Sequence, residues 1–153
     1  MIDTVADEYM LEAIKEAKFA ASEGEVPVGA VIVKDGKIIA SARNNREQTG
    51  DATGHAELLA IREACRVLGG WHLEKCELYV TLEPCPMCMG AIINSRLGKV
   101  VFGAKDAKAG ACGSVLNMCA YPLNHKPIVK NGVLKDECAS VLKDFFEKKR
   151  GNK

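Results

Sequence analysis

The strongest constraint on this fold is that two short pieces must meet in space. Gly54-His55-Ala56-Glu57 and Pro84-Cys85-Pro86-Met87-Cys88 make chemical sense only together. Zinc takes imidazole nitrogen and thiolate sulfur, and a catalytic zinc keeps three protein ligands with one open position. His55, Cys85 and Cys88 supply that number and those types. One neutral imidazole and two thiolates balance Zn²⁺ and leave the fourth position for a water. Cys85 and Cys88 stand three residues apart, so in a first helical turn both thiols share a face. Pro86 has the fixed φ and missing N–H that a first turn tolerates. A helix start also favours the thiolate form.

His55 opens a second predicted helix. Leu58, Leu59, Ile61, Ala64, Cys65, Val67 and Leu68 have helical apolar spacing, and Gly69-Gly70 stops them. Glu57 lies two residues after His55, about 200° around a helix of 3.6 residues per turn. That position is poor for a fourth ligand and suited to a proton shuttle acting on the zinc-bound water. Two readings from other classes stay open here. One is a closed zinc knuckle with Cys65, Cys76 or Cys112 as fourth ligand, although no second Cys-x-x-Cys or His-x₃-His pair completes it. The other is a thioredoxin-like redox pair, which leaves His55 and Glu57 without a role.

The scaffold reads as helices alternating with strands. Thr4 to Ser22 predicts an amphipathic helix capped by Asp3 or Thr4 and ended near Gly24. Val26 to Val33 and Ile38 to Ala40 flank Asp35-Gly36, which predicts a β-hairpin. Arg43 to Thr53 predicts a loop into His55. Leu78 to Leu82 is a strand delivering Cys85, and a helix from Pro86 runs toward Gly98. Lys99 to Gly103 is a strand, Ala104 to Gly113 a loop, Ser114 to Asn124 holds at most a short helix, and Ile128-Val129 is a last short strand. Leu134 to Arg150 returns to helical spacing. This order predicts a three-layer α/β/α sandwich with a mixed central sheet. Residues 1–153 read as one domain with no internal repeat or linker.

Composition bounds the setting. No apolar run approaches 18 residues, so no membrane span is expected. The acidic N-terminus and seven cysteines point to a reducing cytoplasm. Outside the site, Cys65, Cys76, Cys112, Cys119 and Cys138 read as small apolar residues, Trp71 as a packing anchor, and His72 and His125 as surface or hydrogen-bonded histidines. Net charge is −3 over residues 1–50, −1 over 51–100 and +5 over 101–153. The basic final third suits a phosphate backbone or simply a solvated helix end carrying Lys148, Lys149 and Arg150.

His-x-Glu followed by Pro-Cys-x-x-Cys is similar to the signature of zinc nucleobase deaminases. The likeness runs through Glu25 to Val31, Thr81 to Cys88, Val100 to Ala104 and Asp144 to Phe146. Over nearly its whole length the chain resembles the tRNA-specific adenosine deaminases of the cytidine-deaminase-like superfamily. The resemblance implies hydrolytic conversion of adenosine to inosine at the wobble position of a tRNA anticodon loop. It also implies one Zn²⁺ per subunit and a homodimer with active sites near the interface. It makes His55, Cys85 and Cys88 the metal ligands and Glu57 the proton shuttle for attack on adenine C6 and loss of ammonia. Asn44 falls where the family places a base-contacting Asn, and Asp106 in a loop near the neighbouring nucleotide. Phe145 and Phe146 fall on the helix near the anticodon loop. Gln48 to Gly54 and Cys119 to His125 match the family pattern least well. By residues alone, Asn44 and Asp106 read equally as turn or cap formers, and only one of Phe145 and Phe146 can face the core squarely. A free-base or nucleotide deaminase of guanine or cytosine type remains the alternative function, with a non-catalytic zinc RNA-binding module behind it.

Overall fold

The computed structural model describes residues 4–151. One five-stranded mixed sheet runs β2-β1-β3-β4-β5: β1 Gly29–Lys34, β2 Lys37–Arg43, β3 Cys76–Leu82, β4 Lys99–Ala104 and β5 Ile128–Lys130. β1 is antiparallel to β2 and β3, while β3, β4 and β5 are parallel. The helices are α1 Val5–Ser22, the single turn α2 Arg46–Thr49, α3 Ala56–Leu68, α4 Pro86–Asn94 and α5 Lys135–Gly151. A 3₁₀ turn at Met118–Ala120 lies between β4 and β5.

Strand alternation builds the three layers. Ala30, Ile32, Leu78, Val80, Val100 and Phe102 enter one core, facing Ala60, Ile61 and Ala64 of α3 and Met89 and Ile92 of α4. The intervening Val31, Val33, Tyr79 and Val101 enter the other, facing Met10, Ala13 and Ile14 of α1 and Cys138 of α5. Period 2 in the strands puts alternate residues on opposite faces, and helices cover both faces. This is the expected α/β/α sandwich. Gly29 permits the close seat of α1 on β1, because a Cβ there would overlap the backbone of Ala13 and Ala17.

Local chemistry explains the boundaries. Thr4 Oγ1 accepts the Asp7 N–H at 3.1 Å and so caps α1; Asp3, the other expected cap, lies outside the described residues. Asp35 and Gly36 both take positive φ between Lys34 and Lys37, the two-residue turn that matches strand twist. The first strand begins at Gly29 and not at the expected Val26. Pro27 has no N–H, and the Val28 N–H turns back to the Val26 carbonyl at 2.9 Å. The expected loop from Arg43 to Thr53 contains α2, because the Glu25 carboxylate accepts the N–H groups of Glu47 and Gln48 at 3.0 and 2.8 Å. The distant Glu25 supplies the cap that Asn45, the N-cap residue, does not make with its own side chain. Trp71 is not a packing anchor: it is exposed, stacked on His72 with ring centres 3.8 Å apart, and the Arg96 guanidinium lies over its ring at 6.0 Å. His72 and His125 are hydrogen-bonded, to Glu74 and to the Leu97 carbonyl. Among the described residues no helix is long and apolar enough to cross a membrane.

Candidate active site

Because β1 is antiparallel to β3, the start of β1 and the ends of β2, β3 and β4 share one end of the sheet. Ligand sites in open α/β sheets favour the carboxyl ends of parallel strands. A cavity of about 160 Å³ opens there. Val26 and Val28 line it from before β1, Asn44 and Arg46 from after β2, Glu83 and Cys85 from after β3, and Asp106 and Ala109 from after β4. His55 and Glu57 come from the start of α3.

His55 is the N-cap residue of α3 and Cys85 that of α4, with Pro86 in the first turn and Cys88 just behind it. Two helix starts therefore aim their first side chains at one point. His55 Nδ1 lies 3.7 Å from Cys85 Sγ and 3.6 Å from Cys88 Sγ. A tetrahedral zinc with ordinary bond lengths separates its N and S ligands by about 3.6 Å. The three atoms lie within 4.8 Å of one another, so the group could hold a metal ion. Among the described residues no fourth Cys, His or carboxylate joins that group, which removes the support for a closed four-ligand knuckle. Glu57 is also outside it; because His55 is the extended N-cap and the helix begins at Ala56, this follows from the packing of the site and not from helical spacing alone.

The electrostatics separate the roles. The Cys88 thiol and His55 hold the Cys85 thiol down to about 4 against the effect of burial. Cys85 and burial push Cys88 far above the usual thiol range. Burial raises the Glu57 carboxyl to about 7, with His55 pulling the other way. A hydrogen bond with Cys85 raises His55. A carboxylic acid whose pKa sits near neutrality can both take and return a proton. Perturbed groups converging on one cavity mark a functional site.

The remaining sequence candidates divide. Asn44 and Asp106 do line the cavity, and each has a structural task as well. Asn44 Oδ1 accepts the Ala56 N–H at 2.8 Å, which caps α3 and leaves only its amide NH₂ for other work. Asp106 Oδ1 accepts the N–H groups of Lys108 and Ala109 and closes a turn in the wall. Phe145 and Phe146 form an edge-on pair with ring centres 5.3 Å apart. Phe145 is half-buried beside Ala21 and Val141 of the α1–α5 junction. Phe146 is 40% exposed and borders, with Lys149, a second cavity that shares Val26, Asn44 and Arg46 with the first. Only Phe146 thus adjoins the site.

Sequence reasoning passed over two buried carboxylates. Glu25 holds α2, and Glu83 holds the wall from Asp106 to Ser114. Burial works to raise the Glu83 carboxyl, but the Ser114 hydroxyl and the N–H groups of Asp106, Cys112 and Ser114 leave it below its ordinary value. The available signal was a lone acid abutting an apolar strand run at Glu25-Val26 and at Leu82-Glu83.

The MafB19-like deaminase family matches residues 5–150. A tRNA-specific adenosine deaminase of Bacillus subtilis (strain 168) is 53% identical over 146 residues, which is 95% of this chain and 91% of that protein. The chain belongs to the tRNA-specific adenosine deaminase family. A solved structure from work on A-to-I editing by tRNA:A34 deaminases superposes with a TM-score of 0.86 at 42% identity, covering 88% of this chain and 99% of that one. A guanine deaminase from Bacillus subtilis has a TM-score of 0.61 at 46% identity, covering 64% of this chain and 63% of that one. The deaminase fold, with its mixed sheet between helical layers, is thus common to enzymes of different substrates, and the cavity walls must carry the difference.

Proposed function

We propose that the protein deaminates adenosine to inosine at the wobble position of a tRNA anticodon, as one domain with one zinc ion per subunit. The observation that carries this is a buried carboxyl, Glu57, beside three metal-competent side chains at a base-sized cavity, in a chain of this family. His55, Cys85 and Cys88 would hold the zinc. When bound, zinc supplies the Lewis acidity that makes a water nucleophilic near neutral pH. Glu57 takes the proton of the attacking water as the oxygen bonds to adenine C6, and it delivers that proton to ring nitrogen N1. The remaining proton of the added hydroxyl then passes to the exocyclic amine through Glu57, the C6–N bond breaks, and ammonia leaves as the C6 carbonyl of inosine forms. Asn44 would orient the base through its NH₂, a reading supported by its place in the cavity lining and by its Oδ1 being taken by the Ala56 N–H.

The RNA partner is supported by the surface beyond the cavity. Arg46, Phe146 and Lys149 border the adjoining cavity, and Lys148, Lys149 and Arg150 end α5. Cations there suit phosphates and the exposed ring suits a stacked base. An anticodon loop is already single-stranded, so splaying its base costs less than flipping one from a duplex. We also propose a homodimer, supported by exposed Val115, Tyr121 and Leu123 just past the cavity wall, and a cytoplasmic location, which suits seven free cysteines.

The test is incubation of zinc-loaded protein with an anticodon stem-loop carrying wobble adenosine, with inosine read by mass. Free guanine, adenine and cytidine run in parallel. Inosine formed in the RNA alone is the expected result. Turnover of a free base alone would move the protein to the second reading, which the guanine deaminase neighbour favours.

Metal binding should be strongly pH-dependent. Without metal the thiol pair keeps a proton on Cys88 at neutral pH, because Cys88 is pushed up while Cys85 is held down. Two-thiolate ligation must release that proton, so apparent zinc affinity should rise about tenfold per pH unit for each proton released. A chelator competition series between pH 6 and 8 should give a slope of at least one. A flat series would show that Cys88 is not a ligand.

A further inference from the structure

Glu83 lines the cavity yet has nothing to offer a substrate. It is 2% exposed. Its Oε1 accepts the Asp106 N–H at 3.1 Å and the Ser114 hydroxyl. Its Oε2 accepts the Cys112 N–H at 2.9 Å and the Ser114 N–H at 3.2 Å. A carboxylate has about four lone-pair sites, and four donors fill them. All four belong to one segment, the wall that presents Asp106 and Ala109 to the cavity. Gly110 leaves the space this requires, since a Cβ there would overlap the Glu83 carboxylate.

We propose that Glu83 is a positioning residue for deamination, one that acts on the bound base by fixing the 106–114 wall and never by touching the base. This rests on the deaminase reading above. The chemistry makes glutamine a poor substitute, although it has the same shape. Every partner is a donor, so the amide NH₂ must oppose at least one backbone N–H. Placed on the Oε1 side, it lets the Ser114 hydroxyl turn and accept, but it leaves the Asp106 N–H without an acceptor. Placed on the other side, it strands the N–H groups of both Cys112 and Ser114. Either way the wall shifts.

The test compares wild type, Glu83→Gln, Asp106→Ala and the double variant on the anticodon stem-loop, with zinc content and amide hydrogen exchange measured on each. Glu83→Gln should lower kcat/KM about tenfold or more, mostly through KM, because a displaced wall weakens contact with the base already bound. A partly unfolded sample would lose kcat alone. Zinc per chain should be unchanged, and the amides of Asp106, Cys112 and Ser114 should exchange faster. The double variant should lose no more than the worse single one, since both changes act through the same wall. Losses that multiply, or a Glu83→Gln enzyme with wild-type kcat/KM, would overturn the assignment. If Glu83→Gln does not fold, Gly110→Ala replaces it in the same cycle and should exceed the milder Ser114→Ala, which keeps three of the four bonds. Equal effects of those two would overturn it as well. Wild type inactive on every substrate would instead sink the deaminase reading itself.

Discussion

Glu57→Gln should lower the deamination rate of the zinc-loaded protein about a thousandfold, since a positioned acid–base group contributes roughly 10²–10⁴. Zinc content should stay at the wild-type level, because Glu57 is not among the grouped ligand atoms. Stability should move the other way. Burial raises the Glu57 carboxyl to about 7 from an ordinary value of 4.5, so the folded state holds a proton that the unfolded chain has given up. Native stability from this group is full below 4.5 and is lost as pH rises through about 7. At pH 8 the wild type therefore carries a buried charge that glutamine removes. Metal-free Glu57→Gln should melt no lower than metal-free wild type at pH 8, and its advantage should vanish by pH 4. Calorimetry at the two pH values, with rates and zinc measured on the same preparations, decides both parts. A variant that keeps full rate with normal zinc would remove Glu57 from the chemistry.

Cys88→Ala should abolish activity by a different route. Three ligands are the fewest that hold a catalytic zinc, and two seldom retain it. Metal per chain, measured by mass spectrometry of the element, should fall close to zero, with the rate below about a thousandth of wild type. Melting should no longer respond to added zinc, because ligand binding stabilises only the state that binds. Cys112→Ser is the matched control. Cys112 packs beside the core and stands outside the ligand group, so its replacement should keep both zinc and turnover. Loss of metal in Cys112→Ser would restore the closed knuckle.

These two variants probe residues that were legible before any fold was known. His55, Glu57, Cys85 and Cys88 are chemically distinctive, and their spacing relative to helix starts is local. The same holds for the Asp35-Gly36 hairpin and for the order of helices and strands, since periods of 2 and 3.6 are written in short windows. The walls of the cavity were not legible in this way. By its sequence Asn44 suits a base contact or a turn, and in the fold it both lines the cavity and caps α3 through Ala56, twelve residues on. Phe145 and Phe146 looked equivalent, and only packing against α1 separated them.

By itself, then, the sequence determined which side chains can bind metal and move protons, the order of the long helices and strands, and that helices must cover both faces of a mixed sheet. Tertiary structure alone decided how the cavity is walled. Glu25 reaches 22 and 23 residues forward to start α2, and Glu83 reaches 23 to 31 residues forward to hold the opposite wall. A charged residue next to an apolar run ordinarily predicts a solvated strand end. Burying it is affordable only when distant donors saturate its oxygens. Those donors are backbone N–H groups, which every residue but proline carries, so no pattern of side chains reveals them.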